Sequence, residues 1–131
     1  MTGVQTCALP ISKKIGRVNL CHALNTKGGV HSEFTIMKET EGSYYLVSAG
    51  AFQRLDHDWI QKWMPKDYSV QFENLTNVIG VLVVAGPKAR ELMKKVSKDD
   101  FSNENFKWLS SKKVDIGYSP CTAIRVNFVG E

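Results

Sequence analysis

The sequence predicts an α+β domain. Apolar residues alternate at a period of two over its opening segments, recur at spacings of three and four in two later ones, and follow no regular strand-helix-strand order. Size agrees with that class. A chain of 131 residues, 43% hydrophobic and 23% charged, has the apolar material for one packed core, which excludes a large multidomain enzyme and a disordered chain.

Arg17 to Leu24 and Val30 to Lys38 have strand patterns, and Asn25-Thr26-Lys27-Gly28-Gly29 between them is a turn in which glycine supplies positive φ. Glu39 to Gly42 turns the chain again into Ser43 to Ser48, giving a meander of three antiparallel strands. From Ala51 to Met64 the period changes. Phe52, Leu55, Trp59 and Trp63 mark one face of an amphipathic helix that stops before Pro65, and this face is the expected core contact. Tyr68, Val70 and Phe72 alternate with polar residues as in a half-buried strand. Val78 to Ala85 is apolar almost throughout, as in a strand covered on both faces. Gly86-Pro87 then opens a second helix expected to carry Ala89, Leu92, Met93 and Val96 inward. After an irregular stretch around Phe101 to Leu109, Lys112 to Tyr118 and Cys121 to Val129 are two further strands joined at Ser119-Pro120. Two helices packed on antiparallel sheets are therefore expected.

Several function classes fall away. The longest apolar run, Val78 to Ala85, is far short of the roughly 18 to 20 residues of a membrane helix. The net charge of +4 comes from scattered lysine pairs interrupted by Asp99 and Asp100, a solvated surface and not a nucleic-acid stripe. Neither nucleic acid nor membrane is an expected partner. Cys7, Cys21 and Cys121 have no metal-ligand spacing and suggest a reducing compartment, so no metal is expected. No GxGxxG or GxxxxGK[ST] is present. Residues 1 to 12 carry no charge and no periodicity, resemble a translated sequencing adaptor, and are expected to stand outside a domain over residues 13 to 131.

His31 and Glu33 alternate on one strand just after the glycine turn, so their side chains share a face, where an imidazole and a carboxylate can handle protons or line an edge strand. Arg125 and Asn127 share a face of the last strand, as a ligand clamp or as ordinary sheet surface. His57, between Asp56 and Asp58, falls on the polar side of its helix, and His22 has no partner nearby in sequence.

Four segments stand in a suggestive order: LNTKGGVHSEFTI, YYLVSAG with the helix carrying Trp59, GVLVVAGPKARELM, and CTAIRVNFVGE. The order resembles the tetrahydrofolate-binding aminomethyltransferase family, found as the glycine-cleavage T-protein and as the C-terminal half of dimethylglycine and sarcosine dehydrogenases. It covers about Gly16 to Glu131. Ser32-Glu33 after the turn and Trp59 in the helix place it nearer the dehydrogenase branch.

The resemblance implies a truncated aminomethyltransferase-like folate-binding domain. In such enzymes a one-carbon unit released from an N-methyl or aminomethyl group is captured by tetrahydrofolate as methylene-tetrahydrofolate, and a carboxylate beside the folate nitrogens assists proton transfer. The matching catalytic residue is Glu33, with His31, Arg125, Phe128 and Glu131 as cofactor-binding candidates. A second, pterin-holding carboxylate would lie four residues beyond Glu131, and Phe128 stands where the family often has tyrosine. Small-molecule folate and an amine-derived carbon unit are the implied partners. FAD would belong to a preceding half of the parent enzyme, and the compartment would be the cytoplasm, or the mitochondrial matrix in a eukaryote. A glycine-cleavage enzyme working with a lipoyl-carrying protein, and a non-enzymatic folate-binding protein of the same fold, are the alternatives.

Overall fold

The chain is seen in a computed structural model that describes residues 14–127 and divides into two compact units, residues 14–47 with 85–127, and Ser48–Val84. Phe128 and Glu131, together with residues 1 to 12, lie outside the described residues.

In the first unit the expected meander is present. β1 (Val18–Leu24), β2 (Val30–Lys38) and β3 (Tyr44–Val47) form an antiparallel sheet in the order β1-β2-β3. The first turn is held by Asn25: its Oδ1 accepts from the backbone N–H of Lys27 at 2.9 Å and of Gly29 at 3.0 Å, while Gly28 sits at φ +81, a conformation that penalises any Cβ. The turn sets Leu24 opposite Val30, and an irregularity between Ala23 and Leu24 then shifts the ladder by one residue, so that Cys21 stands opposite Phe34 and His22 opposite Glu33. Cys21, Ala23, Phe34 and Ile36 make one face of the sheet apolar and buried. The other face is buried at Val18 and Met37 but partly open at Leu20, His22 and Glu33, near the turn.

A second antiparallel pair, β4 (Ser110–Ile116) with β5 (Ser119–Arg125), is joined by Gly117-Tyr118, not at Ser119-Pro120. Pro120 is instead the second residue of β5, opposite Asp115, an early position that proline tolerates. Backbone hydrogen bonds weld the two sheets: Val18 N–H donates to Leu109 O, Ser111 N–H donates to Gly16 O, and Arg17 bridges Ser110. The irregular stretch before β4 supplies Phe101 and Phe106, which bury with Val114 against Met93, Ile116, Cys121 and Ala123. Lys112 closes this cluster, its Nζ 4.9 Å from the Phe101 ring centre and 5.6 Å from that of Phe106 while donating to Asp100 O at 2.6 Å. In α2 (Ala89–Val96) Met93 packs inward as expected, but Leu92 and Val96 are exposed.

The loop before β4 also carries an acid-sensitive tie. The Ser102 backbone N–H at 2.7 Å, aided by Asn105 Nδ2 at 2.6 Å, holds the Asp100 carboxyl down at about 2 against an ordinary 3.8. With the folded value depressed, the stabilisation is present above the ordinary value and is lost as pH falls toward 2. The Asp100 carboxyl carbon should therefore titrate near 2 by NMR, and acid should loosen this loop less in Asp100→Asn than in the wild type; a midpoint near 3.8 would show the loop hydrogen bonds to be absent.

In the second unit a short 3-10 turn, Gly50–Phe52, leads into α1 (Gln53–Trp63), close to the expected helix. Its expected core face is covered only in part, with Trp59 half-buried. Phe52 and Leu55 are exposed, Trp63 is 41% exposed, and the residue of α1 that is buried is Asp56, at 3%. Both Asp56 carboxylate oxygens lack a hydrogen-bond partner among the described residues. Neither later strand of this region forms. Tyr68 takes a positive φ in a turn, and Val78 to Val84 runs irregular and exposed, Leu82 at 95% and Val83 at 86%. A strand exists only through a ladder with a neighbour, and no described segment pairs with either stretch.

Candidate functional site

Glu33 lies in the first half of β2, four residues past Gly29 of the turn, on the partly open face of the sheet. Its side chain is 37% exposed, and its Oε2 meets Nε2 of His22 at 2.7 Å. The pairing follows from register alone: residues directly opposite in an antiparallel pair project to the same side with adjacent Cβ atoms. Glu33 Oε1 has no hydrogen-bond partner among the described residues. A half-exposed carboxylate with one oxygen tied and the other open can accept a hydrogen bond or a proton from a docked amine.

The other expected site residues are distributed differently. His31, half-buried, alternates with Glu33 on β2, so the two share a face as the sequence indicated. The imidazole hydrogen-bonded to Glu33, however, is that of His22, which the sequence reading left without a role. Counting outward from the Asn25–Gly29 turn would set His22 against Ser32; an irregularity in the ladder between Ala23 and Leu24 shifts the register by one residue and brings His22 opposite Glu33. Arg125 turns its guanidinium to its own unit: Nη1 donates to the Phe106 carbonyl and Nη2 to Asn103 Oδ1 at 2.7 Å, where Arg90 also donates at 2.9 Å. It props the loop that carries Phe101 and Phe106.

In the second unit a cleft of about 450 Å³ is lined by Gly50, Ala51, Gln53, Arg54, His57 and Asn74, none of them an expected site residue. His57 lies 3.5 Å from Asp58, and its ring meets that of Phe72 at a tilt of 47° with centroids 5.7 Å apart. Among the described residues no group of three or more His, Cys, Asp or Glu side chains could hold a metal ion, and no helix is long and apolar enough to cross a membrane.

Two antiparallel sheets with two helices give the described residues an α+β fold. The model of the GCVT N-terminal domain matches residues 4–131, and the chain belongs to that family. It is 36% identical over 119 residues to human mitochondrial dimethylglycine dehydrogenase, covering 90% of this chain and 14% of that protein. It is 32% identical over 110 residues to an aminomethyltransferase of Caldanaerobacter subterraneus, covering 82% of this chain and 28% of that protein. A mouse mitochondrial pyruvate dehydrogenase phosphatase regulatory subunit is 26% identical over 105 residues, covering 80% of this chain and 12% of that protein. The chain thus spans a small part of each relative's length.

Proposed function

We propose that this chain is the tetrahydrofolate-binding, one-carbon-transfer part of an FAD-dependent dimethylglycine or sarcosine dehydrogenase-like oxidoreductase, with Glu33 as its catalytic carboxylate. The observation that carries this reading is the state of Glu33: half-exposed, one oxygen held by His22, the other open. That donor set suits a reduced folate, whose amine N–H groups need an acceptor. Tetrahydrofolate supplies the nitrogen nucleophile that takes up the one-carbon unit. Glu33 Oε1 accepts the hydrogen bond from that nitrogen and then its proton, and the negative charge of Glu33 offsets positive charge building up beside it. His31, on the same face, flanks the ligand. Arg125 holds the first unit's loop through the Phe106 carbonyl and Asn103.

The dehydrogenase branch is favoured over the glycine-cleavage branch by the higher identity and longer coverage of the dimethylglycine dehydrogenase match. FAD and amine oxidation would then belong to other parts of the parent protein. The mitochondrial names of those relatives support a matrix location in a eukaryotic source.

The reading is tested by calorimetric titration of tetrahydrofolate into the chain. Binding is expected, and Glu33→Gln should weaken it about tenfold, the scale of one lost charge-assisted hydrogen bond. Absence of binding would overturn the folate assignment, and undiminished binding by Glu33→Gln would overturn the role of Glu33.

A further inference from the structure

The geometry points to His22 as the positioning residue of this site: its Nε2–H holds Oε2 of Glu33 and thereby presents Oε1 to the ligand. The inference deepens the folate reading and rests on it. A carboxylate is an acceptor only, so across 2.7 Å the proton of the contact sits on the imidazole, and Nε2 is the donor. The neutral ring is then fixed as the Nε2–H tautomer, with Nδ1 bare. An unsupported glutamate on an open sheet face samples several rotamers. One charge-assisted hydrogen bond from the facing strand selects among them before a ligand arrives, as an orienting partner does for any reactive group.

The location favours this role over a surface ion pair. His22 and Glu33 are opposed in the ladder, so both Cα positions are fixed by β1–β2 backbone hydrogen bonds and only the side-chain torsions remain to be ordered. The side chains are 44% and 37% exposed, open enough to admit a ligand. Nδ1 of His22 has no hydrogen-bond partner among the described residues, so the imidazole is not already committed elsewhere.

Two measurements on the intact chain test the proposal. Imidazole nitrogen shifts, read by two-dimensional NMR above the titration range, should show His22 as the Nε2–H tautomer and should move toward a tautomer mixture in Glu33→Ala. Calorimetry with tetrahydrofolate should show about fivefold weaker binding for His22→Leu, the value of one ordering hydrogen bond, with His22→Gln restoring wild-type affinity because its amide can donate to the same oxygen. In the Glu33→Ala background His22→Leu should have no further effect, since residues acting through one contact are not additive. An Nδ1–H tautomer, equal losses in the Leu and Gln variants, or additive losses with Glu33→Ala would overturn the positioning role. Failure of the wild type to bind tetrahydrofolate overturns the folate reading and the ligand half of this inference, whereas the nitrogen shifts decide the His22–Glu33 contact independently.

Discussion

Phe106→Ala is expected to lower the stability of the first unit by about 3–5 kcal/mol, the usual cost of deleting a buried aromatic ring. Phe106 is 7% exposed, and its ring meets that of Phe101 edge-on at 5.7 Å, with Val114 completing the buried cluster. The alanine variant loses the ring's transfer free energy, the edge-to-face contact and one of the two faces over which Lys112 lies. It keeps the Phe106 carbonyl that Arg125 binds, so the loss belongs to the side chain. Against a total stability of roughly 5–15 kcal/mol, such a loss brings the unit close to unfolding. Urea denaturation should show a large drop in midpoint with little change in slope. A loss under about 1 kcal/mol would mean that the ring is not part of the core.

The sequence did not reveal that cluster, for a physical reason. Phe101 and Phe106 lie in a stretch without helix or strand period, and periodicity detects only residues that a regular element delivers to the core. The meander was legible because its turn chemistry is local: Asn25, Gly28 and Gly29 determine the hairpin whatever surrounds it. Val78 to Val84 shows the opposite limit. Its apolar run fits a buried strand, yet strandedness belongs to a pair, and no partner stands beside it among the described residues. The β4–β5 turn was misplaced by two residues because Ser119-Pro120 has turn composition, while Gly117-Tyr118 is the pair that fits the two-residue loop.

The candidate site divides the same way. Glu33 is the candidate because of its place after the glycine turn and the family resemblance, and a face shared with His31 follows from strand alternation alone. The hydrogen bond to His22 depends on register, and the turn alone does not give it, because the ladder shifts by one residue between Ala23 and Leu24. Arg125 has a contact that residue type and face did not indicate: its guanidinium donates to Phe106 O and Asn103 Oδ1 within its own unit. The α1 stripe failed for a related reason. Trp63 and Phe52 recur at helical spacing, but spacing specifies a face and not what covers it, and Asp56 is the residue that is buried.

Gly16→Ala is expected to cost more than Gly28→Ala, although both replace a glycine at nearly the same backbone angle. Gly16 stands at φ +78 and Gly28 at φ +81, so each variant carries the left-handed penalty of about 1–2 kcal/mol for a residue bearing a Cβ. A Cβ on Gly28 would meet nothing within 4 Å, so that variant should show the backbone penalty alone. A Cβ on Gly16 would stand 3.0 Å from the Ser111 carbonyl oxygen, and that oxygen is backbone and cannot rotate away. Ser111 is also anchored by its own N–H, which donates to Gly16 O at 2.7 Å, while Gly16 N–H donates to Lys38 O at 2.8 Å. Relieving the contact would strain the weld between the two sheets and should add about 1–2 kcal/mol, within the usual range for overpacking. Denaturation of both variants measures the difference directly. Equal losses would show that the Ser111 strand gives way freely and that the junction at Gly16 does not constrain how the two sheets meet.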